Sequence, residues 1–208
     1  MEPRRSTPGT PTRSAPSVRN GVDTATLFTT LATVERVPDA AQFRFRARNR
    51  WVSGVHSHST VVDYFGVGRE QEHERAFALD ADHPLPLVGT DRGPTPAEYV
   101  LVSLASCLTA GIANIAATRG VDLAAVTSVI EGDLDLTGVL GLREGVRNGF
   151  QGIEIRIEVS GDAPADTLRE IVEQSRSRSV VHDVVANPVP VSIDVVAGRG
   201  PDTQPRGA

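Results

Sequence analysis

One thiol stands in this 208-residue chain, Cys107. A single cysteine excludes an internal disulfide and any zinc site built from several cysteines. On its own it reads in two ways: a nucleophile, or a small buried hydrophobe of the kind most free core cysteines are. The other residues fit for chemistry lie in short clusters. His56 and His58 are two apart on a predicted strand, so they share a face. A metal there needs a third ligand, which the spacing does not supply, and no metal or cofactor site is expected. The pair's other use is to place His58 beside a thiol, because a neighbouring histidine activates cysteine. Ser179 and His182 are three apart on a predicted helix and lack the third member of a hydrolytic triad. Glu131, Asp133 and Asp135 look like an acidic metal loop, yet strand alternation puts them on one solvated face. All 21 basic residues are arginine, which excludes lysine Schiff-base chemistry and a phosphate-loop lysine.

The element that must carry Cys107 is a long helix in GPTPAEYVLVSLASCLTAGIANIAATRG. Thr95 is a good N-cap, Pro96 suits the first helical position, and Glu98 completes a Thr-x-x-Glu capping box. Gly120 is the expected stop. Leu101, Leu104, Leu108, Ile112 and Ile115 form one stripe at helical spacing. Cys107 lies on its flank beside Ser103, Ala110 and Gly111, small residues that let another helix approach. Asn114 falls on the same flank and is expected to bond backbone or water. A helix this long and apolar in a small chain calls for cover by a second copy.

Around it the periodicities alternate. Asp23 caps a predicted helix with Leu27, Phe28, Leu31 and Val34 on one face. Phe43–Trp51 and Ser57–Phe65 read as strands, as do Val126–Leu136, Ile153–Val159 and Val189–Val196. Helices are expected over Pro164–Arg176 and Val180–Val185. This order is an α+β domain. Residues 1–22, with four arginines against one glutamate and no hydrophobic period, read as a disordered leader. The folded domain is expected over 23–197 and a second disordered tail over 198–208. The net charge of −5 argues against nucleic acid as a partner. No secretory signal is evident, and no stretch reaches the ~20 apolar residues of a membrane span. A soluble, cytoplasmic protein is therefore expected.

Four segments carry a family resemblance: ARNRWVSGVHSHST, GTDRGPTPAEY leading into the cysteine helix, EGDLDLTGVLGL with VRNGFQGI, and SVVHDVVANPVPV. Together they resemble the OsmC family of osmotically inducible and organic-hydroperoxide-resistance proteins, over about Phe43 to Val196. The resemblance implies an OsmC-like fold, an intertwined homodimer with antiparallel sheets wrapped around two long central helices. It places the active sites at the subunit interface. It also implies reduction of hydroperoxides by a cysteine thiolate, held by an arginine and a glutamate and resolved by a second cysteine.

Carried onto this sequence the pattern is incomplete. Cys107 matches the attacking cysteine. Ser179, in Ser179-Val180-Val181, stands where the resolving thiol belongs. His58 falls at the family arginine, with Arg48 and Arg50 nearby. Ala97 takes the glutamate's place, and Glu98 comes one residue late. Nine residues from Cys107, Glu98 lies about 180° around an ideal helix and roughly 13 Å along it, which suits a cap and not a thiol contact. The catalytic candidates are therefore Cys107, His58, Ser179 and Glu98. The leading expectation is a one-cysteine peroxidase for organic hydroperoxides in the oxidative stress response, dependent on an external thiol. The alternative is a degenerate relative that binds or transforms a small apolar or acyl-bearing molecule without redox turnover.

Overall fold

A computed structural model describes residues 18–198. The leader expected over 1–22 falls mostly outside that span. Its last residues are ordered instead: β1 (Val18–Arg19) and β2 (Val22–Asp23) form a tight hairpin. The chain turns there because Asn20, at φ 53°, and Gly21, at φ 77°, accept the left-handed conformation. Asp23 then caps α1 (Thr24–Arg36), its carboxylate accepting the Thr26 N–H at 3.0 Å. The tail expected beyond 198 also lies outside the described residues.

The first block is an antiparallel sheet of β3 (Arg44–Phe45), β4 (Arg48–Ser53), β5 (His56–Gly66) and β6 (Arg69–Ala81). β5 is central: β3 and β4 pair with its two halves, and β6 runs along it. The single strand expected over Phe43–Trp51 is thus two pieces, interrupted where Arg46 turns to bond Asp63 at 3.1 Å. β6 was not anticipated. Its charge-rich opening, Arg69-Glu70-Gln71-Glu72, masks the alternation, and the preceding turn uses Val67 at φ 52° where asparagine is the usual signal.

The second block is built on α2 (Pro96–Thr118). Thr95 and Glu98 form the full reciprocal capping box. Gly120, at φ 75°, ends the helix, with its N–H on Ala117 O and that of Val121 on Ala116 O. A hairpin of β7 (Leu123–Asp133) and β8 (Gly152–Gly161) covers one side of α2. α4 (Ala165–Arg178) and α5 (Val180–Ala186) cover another, and a short α3 (Leu136–Val139) interrupts the link between β7 and β8. β7 begins three residues earlier than expected and ends at Asp133, because Asp135 leaves the ladder to cap α3 through the Thr137 N–H. The core joins Ile112, Ile115 and Ala116 of α2 to Leu168 and Ile171 of α4, with Val121 between. Val126, Ile157 and Val159 close it from the hairpin.

Two expectations need correction. The final strand over Val189–Val196 does not form: residues 187–198 carry no regular structure and are exposed, Ile193 at 83%. The apolar alternation is present, but among the described residues no neighbouring strand offers it a ladder. Secondly, α2 does have the length and apolar composition to cross a membrane. Two of its serines bond the helix's own backbone, Ser103 Oγ donating to Val100 O and Ser106 Oγ to Val102 O. Here the helix is instead the centre of a packed block, with one face in the core.

Candidate functional site

Cys107 sits near the middle of α2, where α4 ends and α5 begins. The approach of α4 is close because position 111 is glycine: a Cβ there would lie 2.3 Å from Ser175 Oγ. Ser175 fixes the crossing by donating to Leu108 O at 2.8 Å. Four residues on, the chain leaves α4 at Ser179, which is buried and faces the thiol. Its Oγ donates to Cys107 Sγ at 3.1 Å and accepts the His182 N–H, also at 3.1 Å. The hydroxyl is thus held from both sides. It accepts from the first turn of α5 with one lone pair and directs its proton to sulfur.

The half-buried thiol opens on a cavity of about 470 Å³. Ala110, Gly111, Asn114, Ile115 and Thr118 of α2 form its floor, and Ser175, Arg178, Ser179 and Val180 one wall. Leu27, Phe28 and Leu31 of α1 form the opposite wall. The apolar face of α1 therefore turns toward this cavity and not into the core. Asn114, expected to serve backbone or water, is on the floor; its seven-residue spacing from Cys107 was the available signal. Arg178 went unnoticed, although it adjoins Ser179 in sequence.

The remaining candidates lie elsewhere in the protomer. Glu98 is held by its capping box, accepting from the Thr95 N–H and hydroxyl, which keeps its carboxyl below the usual range. It lines a separate cavity of about 330 Å³ with Arg92 and Asp91. His58 is on β5, outside the cysteine cavity. Its Nδ1 bonds Asp80 Oδ1 at 3.0 Å, and His56 Nε2 bonds the same oxygen at 2.9 Å. A carboxylate only accepts, so both ring nitrogens donate, and His58 keeps its Nε2 free. These bonds, that from His58 foremost, hold the Asp80 carboxyl below its ordinary value. Among the described residues no group of three or more His, Cys, Asp or Glu side chains is arranged to hold a metal. Arg48 is engaged by Asp63 at 2.6 Å, and Arg50 is paired opposite His58 across the sheet. His182 contributes its backbone to Ser179 but turns its side chain to another groove, beside Val100 and Phe150. Glu131 and Asp133 are exposed on β7, as alternation required.

Residues 89–194, just over half of the chain, match the sequence profile of OsmC-like proteins. The chain belongs to the OsmC-like family. Solved structures agree on the fold. An OsmC-like protein from Mycoplasma pneumoniae superimposes with a TM-score of 0.54 at 13% identity, covering 70% of this chain and 89% of its own. An OsmC-like protein of unknown function from Vibrio cholerae gives 0.51 at 12% identity, covering 67% and 92%. No curated protein matches the sequence. This OsmC-like chain therefore has the family's α+β fold, with its one cysteine in the long helix and the Ser179 hydroxyl beside it.

Proposed function

We propose that the protein is a homodimeric one-cysteine peroxidase for organic hydroperoxides, acting in the oxidative stress response within the cytoplasm. The observation that carries the reading is the Ser179 hydroxyl, fixed by the His182 N–H and donating to Cys107 Sγ at 3.1 Å beside an apolar cavity. The Cys107 thiolate attacks the distal peroxide oxygen; an S–O bond forms, the O–O bond breaks, and an alcohol leaves after taking a proton. The sulfenic acid cannot pass to a disulfide within the chain, because Cys107 is its one cysteine. An external thiol condenses with it to a mixed disulfide and water, and a second thiol releases Cys107. Ser179 serves as hydrogen-bond donor to the thiolate and then to the sulfenic acid.

A second copy of the chain is part of the proposal. The β3–β6 sheet exposes Trp51 at 73%, and β7 exposes Val129 at 62%. With the unpaired apolar segment 189–196, these are surfaces a soluble chain does not leave uncovered. Sedimentation should give twice the 22.1 kDa chain mass; a compact monomer overturns this part. His58 reaches a cysteine site only between subunits. Its role is tested by mixing inactive Cys107→Ser and His58→Ala proteins, which should regain activity on subunit exchange.

The chemistry is tested by anaerobic purification, one equivalent of cumene hydroperoxide and intact-mass measurement. The expected result is gain of one oxygen, trapped by dimedone, with no reaction in Cys107→Ser. Ser179→Ala should slow the oxidation by about tenfold, as loss of a bond to a charged group implies. Ser179→Cys should convert the sulfenic acid to a disulfide. An inert Cys107 between pH 6 and 9 overturns the peroxidase reading and leaves a non-redox role.

A further inference from the structure

The cavity above Cys107 has a wall that the family relationship does not account for. α1 lies outside the matched residues 89–194. It packs chiefly against its own flanks, β2 and the turn Pro38–Ala41. Its tether is the β1–β2 hairpin: Asn20 Nδ2 donates to Val121 O at 2.9 Å, and Asn20 Oδ1 accepts the Leu123 N–H at 2.9 Å. From that anchor α1 projects beside α2, with Leu27, Phe28 and Leu31 facing Ile115 across the open cavity. Phe28 and Leu31 remain more than half exposed, at 53% each. An apolar helix face that stands across an open cavity from Ile115 leaves unburied area that a bound molecule would cover. One charged residue borders this space, Arg178; it also borders a groove with Glu170 and Glu173, and among the described residues it makes no ion pair with either. In a chain of net charge −5, a lone guanidinium at an apolar cavity is suited to one bidentate anion.

We propose that α1 and Arg178 make the cavity a binding site for single-chain carboxylic acids. The carboxylate pairs with Arg178, and the hydrocarbon body lies between Leu27, Phe28 and Leu31 on one side and Ile115 on the other. Occupancy does not depend on whether Cys107 turns over, so the test uses the full chain carrying Cys107→Ser. Calorimetric titration with decanoate, below its micelle concentration, should show one site per chain. Decanol, with the same body and no charge, should bind about tenfold more weakly, which corresponds to one charge-assisted pair. Arg178→Gln should abolish that preference while leaving decanol binding unchanged, and Arg178→Lys should retain part of it. Leu31→Asp should weaken both ligands. Decanoate should also slow amide exchange in residues 24–36. The proposal is overturned if neither ligand binds, as would follow if a second copy fills the cavity. It is equally overturned if Arg178→Gln leaves the decanoate preference intact or if exchange in α1 is unchanged.

Discussion

The two blocks of this molecule are held together by different forces. The block around α2 has a sealed core, where Ile112 and Ile171 are fully buried. The β3–β6 sheet contributes no residue to that core. Its order comes from its ladders, from the Arg46–Asp63 and Arg48–Asp63 pairs, and from stacked rings such as Phe43 on Tyr64, 6.4 Å apart. Two ion pairs sharing one half-buried carboxylate do not replace a core, so the sheet needs cover that the core block does not. Cys107 sits in the self-sufficient block, and the histidine–aspartate cluster sits in the dependent one.

That contrast is open to attack by substitution. The largest effect should come from Ile112→Ala, which empties the centre of the core and should cost about 2–5 kcal/mol in urea unfolding. Trp51→Ala, on the sheet, should change the stability of an isolated protomer by no more than about 0.5 kcal/mol. If Trp51→Ala costs as much and its cost shrinks as protein is diluted, the sheet is sealed by a second copy. Next in size is the α2–α4 crossing. Gly111→Ala should destabilise by about 1–3 kcal/mol through its clash with Ser175. The double variant with Ser175→Ala should recover most of that loss; failure to recover would mean the crossing is set by something else. The smallest effect lies in the sheet. His58 and His56 hold the folded-state Asp80 carboxyl below its ordinary value. Its contribution is therefore present above the usual carboxylate range, near pH 4, and is lost as pH falls through the depressed folded value. Wild type should exceed Asp80→Asn in urea midpoint at pH 7, and the gap should close toward pH 2.

What was legible in the sequence followed the same division. α2 could be read almost to the residue, because its cap, stripe and stop are local signals. β8 was legible for the same reason, with Ile153, Ile155, Ile157 and Val159 alternating against the core. The sheet was read less well. β6 is exposed along most of its length, so no buried face imposes an alternation to detect. The strand expected over 189–196 has the alternation but no partner among the described residues, and period alone does not create a ladder. Within the site, Ser179 came from the resemblance; no local pattern ties it to a thiol 72 residues away. Arg178 and the α1 wall depend on where helices stop and start in space, which spacing along one element does not encode.

Asn20 bears on the order of assembly. Its amide joins the start of the chain to Val121 and Leu123, closing a loop of about a hundred residues with two hydrogen bonds. Both receiving groups exist only after α2 has ended at Gly120 and β7 has begun. Closing so long a loop carries a large entropy cost that local contacts do not repay until the later elements stand. During synthesis α1 thus emerges before α2 and docks only after it. In refolding, pulse-labelled amides of α2 should become protected before those of residues 24–36, so that the cysteine is enclosed only at the end.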